Sequence, residues 1–248
     1  MKKIALSIFV LFAFIMVNAQ NVNSNVQDTL KNEIKQGFYQ EKAGKLVSSG
    51  YYIDNKKQGN WVTISSNELI NKIEYYEDGK KNGLSIALDT RGNLTVYENF
   101  KNGLLDGLSI KYKYGGRALS KINYKDGKIN GLKILYYDKG NKQEESNYIN
   151  GKKSGITKWY NMSGKLIAEY SYLDDLFDGV QKTYYNNDSL QCEKYYKSNK
   201  QDGIYTEYYK NGKIKNTGSY SEGEKKGYWF EYDEEGNLIN KTKFKKKK

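Results

Sequence analysis

Proline and histidine are absent from these 248 residues, and cysteine occurs once. Average usage of roughly 5% would give about a dozen prolines. Their absence fits a long run of paired strands, because proline lacks the ladder donor and is pushed to edges and bulges. Without histidine, and with Cys192 alone, the chain has no Ser-His-Asp triad, no Cys-His nucleophile and no ordinary zinc site. A lone cysteine makes no internal disulfide, so the fold must hold without covalent staples. Cys192 lies within a strand and reads as a small buried apolar residue. Carboxylate pairs remain for acid-base work, at Asp174-Asp175 and Glu144-Glu145. Adjacent strand residues point to opposite faces and turn residues point to solvent, so neither pair makes an acid-base couple. The spaced carboxylates of a calcium loop are missing as well. The sequence predicts no enzyme, no cofactor and no metal.

Only one long apolar run is present, Ile4 to Val17, interrupted by Ser7. It follows Lys2 and Lys3, precedes the small residues Val17-Asn18-Ala19, and is shorter than the ~20 residues that span a bilayer. Residues 1–19 are therefore expected to be a cleaved secretory signal, and the mature chain a soluble secreted or periplasmic protein. Residues 20–36 are polar, with a possible two-turn helix capped by Asp28, and are expected to form a linker or an N-terminal cap. The formal charge of +12 is unevenly spread. Setting aside Lys2, Lys3, Lys241, Lys243 and Lys245 to Lys248 leaves 33 basic residues against 29 acidic, a surplus of +4. The charge sits in the C-terminal tail, and no basic stripe runs through the rest, which disfavours nucleic acid as a partner.

Glycine supplies the organisation. Steps of 24 residues from Gly59 land on Gly83, Gly107, Gly131, Gly155, Gly179, Gly203 and Gly227 without an insertion or deletion. A shorter, less regular unit runs from Gly37. Counting each unit from its leading glycine, position 1 is apolar at Leu84, Leu108, Leu132, Ile156, Val180, Ile204 and Tyr228, with Asn60 the exception. Position 3 is often apolar, and position 5 carries Tyr112, Tyr136, Tyr160, Tyr184, Tyr208 and Tyr232. That period of two marks a half-buried strand. Position 17 is aromatic throughout, including Tyr124, Tyr148, Tyr172, Tyr196 and Tyr220. Glycine at position 9 and Asp-Gly or Asn-Gly connectors such as Asp78-Gly79 and Asn150-Gly151 give tight turns at both ends of each strand pair. Neither connector can hold a crossover helix, so successive strands must be antiparallel neighbours. The expected fold is all-β: an elongated, twisted, single-layer antiparallel meander, solenoid-like, of 24-residue β-hairpin repeats with roughly sixteen strands.

At the Y-x-x-G-K-x-x-G connectors, Tyr76 to Gly83, Tyr124 to Gly131 and Tyr148 to Gly155, each followed by a strand, a glycine turn and an aromatic strand, the chain resembles the MORN repeat family in its bacterial variant form. The resemblance covers residues 37–244 and implies a twisted sheet of stacked hairpins. The variant form is often labelled an antitoxin component of the YwqK type, while other members are described as scaffolds or as membrane-associated. Turn glycine is replaced at Glu68 and Asp188, and connector glycine at Asp175 and Asn199, where altered turns without a break in the sheet are expected.

Two readings of the tyrosines follow. Their rings can pack cross-strand while the hydroxyls reach water, or the rows at positions 5 and 17 can form a platform for another protein or a glycan. Whether the two rows share a face depends on hairpin register, which the sequence leaves open. The tail, Lys245, Lys246, Lys247 and Lys248, can discourage edge-to-edge association of the sheet or bind an anionic membrane or polysaccharide. The expected function is that of an exported, non-catalytic scaffold binding another protein, with an antitoxin or immunity role implied by the resemblance. Binding of glycan or anionic membrane is the alternative.

Overall fold

In a computed structural model, residues 34–245 are described. The signal segment 1–19, most of the segment 20–36 with its Asp28 helix, and Lys246 to Lys248 lie outside them. Among the described residues all regular structure is β, in one sheet of twenty strand segments from Gly37–Ala43 to Leu238–Phe244. Apart from two interrupted strands, each segment pairs antiparallel with the next in sequence. Leu104–Leu105 with Gly107–Lys113, and Lys152–Lys153 with Gly155–Tyr160, each form one interrupted strand, because Asp106 and Ser154 between them still donate to Asn99 and Asn147 carbonyls at 2.9 Å. The meander therefore has nine hairpins. The two strands beyond the expected sixteen come from the short first unit, whose strands Gly37–Ala43 and Leu46–Ile53 pair fully.

Both kinds of turn depend on left-handed backbone. In the connectors the two central residues both have positive φ, as at Asp78 (48°) and Gly79 (77°), which is the hairpin geometry matched to strand twist. Each connector also bonds to the one before it. The amide nitrogens of Gly79, Gly103, Gly127, Gly151 and Gly223 donate to the carbonyls of Lys57, Lys81, Leu105, Ile129 and Gln201 at 2.8–2.9 Å. At Asp175 and Asn199 the same bonds form, to Lys153 and Phe177, with φ of 70° and 69°. Glu68 and Asp188 likewise take φ of 62° and 67° and close the tip turn onto Ser65 and Tyr185. The altered turns expected at these four positions do not occur. Polar side chains accept the left-handed conformation, and the bond network holds them in it.

Register sets the faces. Within a unit, positions 0, 2 and 4 lie opposite 17, 15 and 13, while 1 and 3 lie opposite 16 and 14, as in Gly203↔Tyr220, Tyr205↔Gly218 and Thr206↔Thr217. Positions 5 and 17 are therefore on opposite faces. Between units the register shifts around each leading glycine, for example between Tyr170 and Tyr172, and those glycines hold φ between 69° and 127°. Such bulges bend a strand. The buried side chains, apart from Thr206, all lie on the face of positions 2, 4, 13, 15 and 17: among them Trp61, Ser85, Ser109, Glu144, Ser146, Thr157, Gln181, Cys192 and Trp229. We call this the covered face. The apolar alternation at positions 1, 3 and 5 marks the other, open face, where the side chains are half-buried or exposed.

Small residues dominate the covered face because neighbouring strands crowd it. The two buried tryptophans sit where the partner strand offers glycine. Trp61 lies over Gly50 and Trp229 over Gly218, and a Cβ on either glycine would come within 2.6 Å of ring atoms. Around each indole the same set recurs: Tyr52 at 5.2 Å and Lys57 at 3.8 Å for Trp61, Tyr220 at 5.1 Å and Lys225 at 4.0 Å for Trp229. Gly218→Ala should cost about 1–3 kcal/mol in urea unfolding, the range for overpacking. Glu68→Gly should stabilise by roughly 0.5–1 kcal/mol by relieving a left-handed non-glycine residue.

Candidate interaction surfaces

The tyrosines of position 5 sit on the open face near the hairpin tips, and all six are half-buried. Their backbones are tied to neighbouring tips. Tyr137, Tyr185 and Tyr209, which follow three of them, donate their hydroxyls to the carbonyls of Tyr160, Tyr208 and Tyr232 in the next hairpin at 2.9, 2.7 and 2.8 Å. The Tyr184 hydroxyl donates to Glu169 Oε2 at 2.7 Å. The tyrosines of position 17 are on the covered face. Tyr148 is buried, and Tyr172 and Tyr196 pack on Phe177 with ring centroids 5.0 and 5.5 Å away. Lys245 is exposed. The two nominated rows are therefore not brought together.

The open face carries an unbroken cross-strand row built alternately from positions 3 and 14. It starts apolar, with Val62, Ile73, Ile86, Tyr97 and Ile110 directly opposite one another in turn. It continues through Lys121 and Ile134 into Glu145, Lys158, Glu169, Lys182 and Glu193. In this second part each charge faces its opposite, with Lys158 and Lys182 each 3.4 Å from Glu169 and Glu193. Beside this row runs position 1, where Leu84, Ile156 and Ile204 are 44, 50 and 57% exposed while Leu108, Leu132 and Val180 are half-buried. Sequence reasoning missed this surface because it treated the apolar positions as the buried side. Pairing positions whose numbers sum to 17 would have found the row.

The carboxylate pairs part as expected. Glu144 is buried on the covered face, accepts from Ser146 Oγ at 2.9 Å and lies 3.2 Å from Lys153 Nζ. Glu145 is on the open face and pairs with Lys142. Asp174 and Asp175 occupy a connector, where Asp175 Oδ1 accepts from the Lys153 amide at 2.7 Å. Burial pushes the Cys192 thiol up. Among the described residues no group of three histidine, cysteine or acidic side chains could hold a metal ion.

A family model described as the MORN repeat variant matches residues 177–198 and 201–222. Residues 177–222 therefore carry two MORN repeats. Each matched span is one hairpin, Leu176–Tyr184 with Leu190–Lys197 and Lys200–Tyr208 with Ile214–Ser221, so the MORN unit coincides with the structural one. The same connector bonds recur in the other hairpins of the array. Comparison with curated proteins returned no match.

Tyrosine burial gives the sheet an alkaline limit. Burial, aided by the Glu41 carboxylate for Tyr52, by Glu74 for Tyr76 and by Glu169 for Tyr184, pushes these three hydroxyls up to about 12 from an ordinary 10.0. Between those values the unfolded chain gives up the protons and the folded chain keeps them. Stability present below pH 10 should therefore fall as pH rises through that window. Urea midpoints measured across it should drop, and Tyr184→Phe should flatten the drop; a midpoint independent of pH up to 12 would contradict the burial.

Proposed function

We propose that this MORN array is an exported, non-catalytic scaffold whose open face binds another protein. The observation that supports this reading is the partly exposed aliphatic row at position 1 beside the row of positions 3 and 14. Apolar surface of this extent is what partner proteins cover, and the adjoining lysines and glutamates are already mutually neutralised, which suits a protein better than a polyanion. The covered face, by contrast, is filled by its own tryptophans, tyrosines and small residues. Export, read from residues 1–19, sets the partner in the cell envelope. An immunity role against a toxin acting there is one form this function can take, and a neighbouring gene for an exported toxin would favour it.

Ile156→Asp and Ile204→Asp test the reading. Both side chains are more than half-exposed or close to it, so thermal stability should change little. A partner retained by the immobilised wild-type protein should be lost from both variants. Retention unchanged in both would remove the open face from the interaction.

Glycan binding is the second reading, favoured by one feature. A cleft of about 330 Å³ at a hairpin tip is lined by Tyr184, Tyr185, Asn186, Asn187, Gln191 and Lys210, an aromatic and amide lining suited to a sugar. Purified cell-surface polysaccharide should then bind the protein, and Lys210→Ala with Gln191→Ala should weaken it. Association insensitive to both substitutions would leave the open face as the binding surface.

A further inference from the structure

Among the described residues the first strand, Gly37–Ala43, pairs only with Leu46–Ile53, and the last, Leu238–Phe244, only with Glu224–Tyr232. Each has one free edge, and free strand edges are templates for another strand. Large apolar side chains gather there: Phe38, Leu238 and Ile239 are 52, 53 and 60% exposed. The two edges differ in kind. The first strand opens a hairpin and the last closes one, and inside the array a closing strand always pairs with the next opening strand. We propose that the closing strand Leu238–Phe244 of one copy pairs with the opening strand Gly37–Ala43 of a second copy, in the register of the internal junctions.

The opening edge is built to the internal specification. Lys35 and Gln36 precede Gly37 just as Lys57 and Gln58 precede Gly59. The Lys35 carbonyl accepts from Asn55 at 3.1 Å and Gln36 Oε1 from the Asp54 amide at 3.0 Å, matching Gly79 to Lys57 and Asp78 to Gln58, both at 2.9 Å. Lys35 Nζ stands 4.7 Å from the Tyr52 ring, as Lys57 Nζ stands 5.6 Å from Tyr76. Internal junctions set an aromatic at position 17 opposite such a lysine, in Tyr52↔Lys57, Tyr76↔Lys81, Tyr148↔Lys153 and Tyr220↔Lys225. Between copies the same register sets Phe244 opposite Lys35. It sets Asn240 opposite Glu41, repeating the internal pair Asn216↔Glu231. Thr242 meets Tyr39 and Lys241 meets Gln40, so no like charges are opposed.

This contact joins two different surfaces, so it is head-to-tail and extends beyond a two-fold dimer into longer assemblies of copies. The lysines at the closing edge, Lys241, Lys243 and Lys245, are exposed, and the chain carries +12 overall. Mutual repulsion between copies is screened by salt, so association strengthens as ionic strength rises.

Sedimentation of the purified protein over a range of concentration and salt is the test. The expected result is a ladder of species beyond the dimer that grows with both. Gln40→Lys, on an exposed open-face position, opposes Lys241 across the junction and should weaken association roughly fivefold at low salt. The double variant Gln40→Lys with Lys241→Glu should restore it, with far-UV circular dichroism unchanged in both. A protein monomeric under all conditions, as it would be if its own residues 1–33 covered the edge, overturns the proposal. So does association that stops at a dimer, or that ignores the Gln40→Lys change.

Discussion

An L-residue held at positive φ gives up roughly 1–2 kcal/mol unless it is glycine, and this chain enters that region at the leading residue, the tip and the connector of nearly every unit. The requirement explains the glycine spacing, and it also explains what the spacing achieves. The connector turns each strand back on its neighbour, the tip closes the hairpin, and the leading glycine forms the bulge at the junction between hairpins. Where the sequence substitutes Glu68, Asp175, Asp188 or Asn199, the backbone stays left-handed because the bonds to neighbouring turns remain.

A sheet without a second layer must find its core elsewhere. Here the core is the covered face, and its composition is unusual for an interior: Ser146 and Thr157 are almost wholly buried, Glu144 is buried with Lys153 beside it, and the largest apolar groups are two indoles seated on glycines. Crowding decides this. Small side chains let adjacent strands approach, and the two buried indoles enter where the facing residue has no side chain. The open face keeps its aliphatic residues half in water.

Hairpins, turns and antiparallel order were legible in the sequence because they follow from local chemistry, Asp-Gly and Asn-Gly connectors above all. Two other features were not. Period-two alternation at Leu84, Ile86 and Leu88 shows that one face differs from the other but not toward which face the strand bends, and the bend comes from bulges at glycines rather than from hydrophobicity. Register likewise decided that Tyr184 and Tyr196 face opposite ways. A candidate surface drawn from tyrosine counts therefore mixed two faces, while the row from Val62 to Glu193, spread over many strands, left no contiguous trace in the chain.

The matched environments of Trp61 and Trp229 carry a mechanical consequence. In an array whose hairpins touch only their neighbours, the ends ordinarily fray first, since a terminal unit has one interface to lose. Here the bulkiest buried contacts stand one hairpin in from each end of the described sheet. The middle is built differently, from Ser146, Thr157, Glu144 with Lys153 beside it, and the ring cluster of Tyr172, Phe177 and Tyr196. The array is clasped at its extremities by its two buried indoles. Each clasp ties a terminal hairpin to its neighbour, so the ends should resist unravelling more than those of a uniform array of small residues.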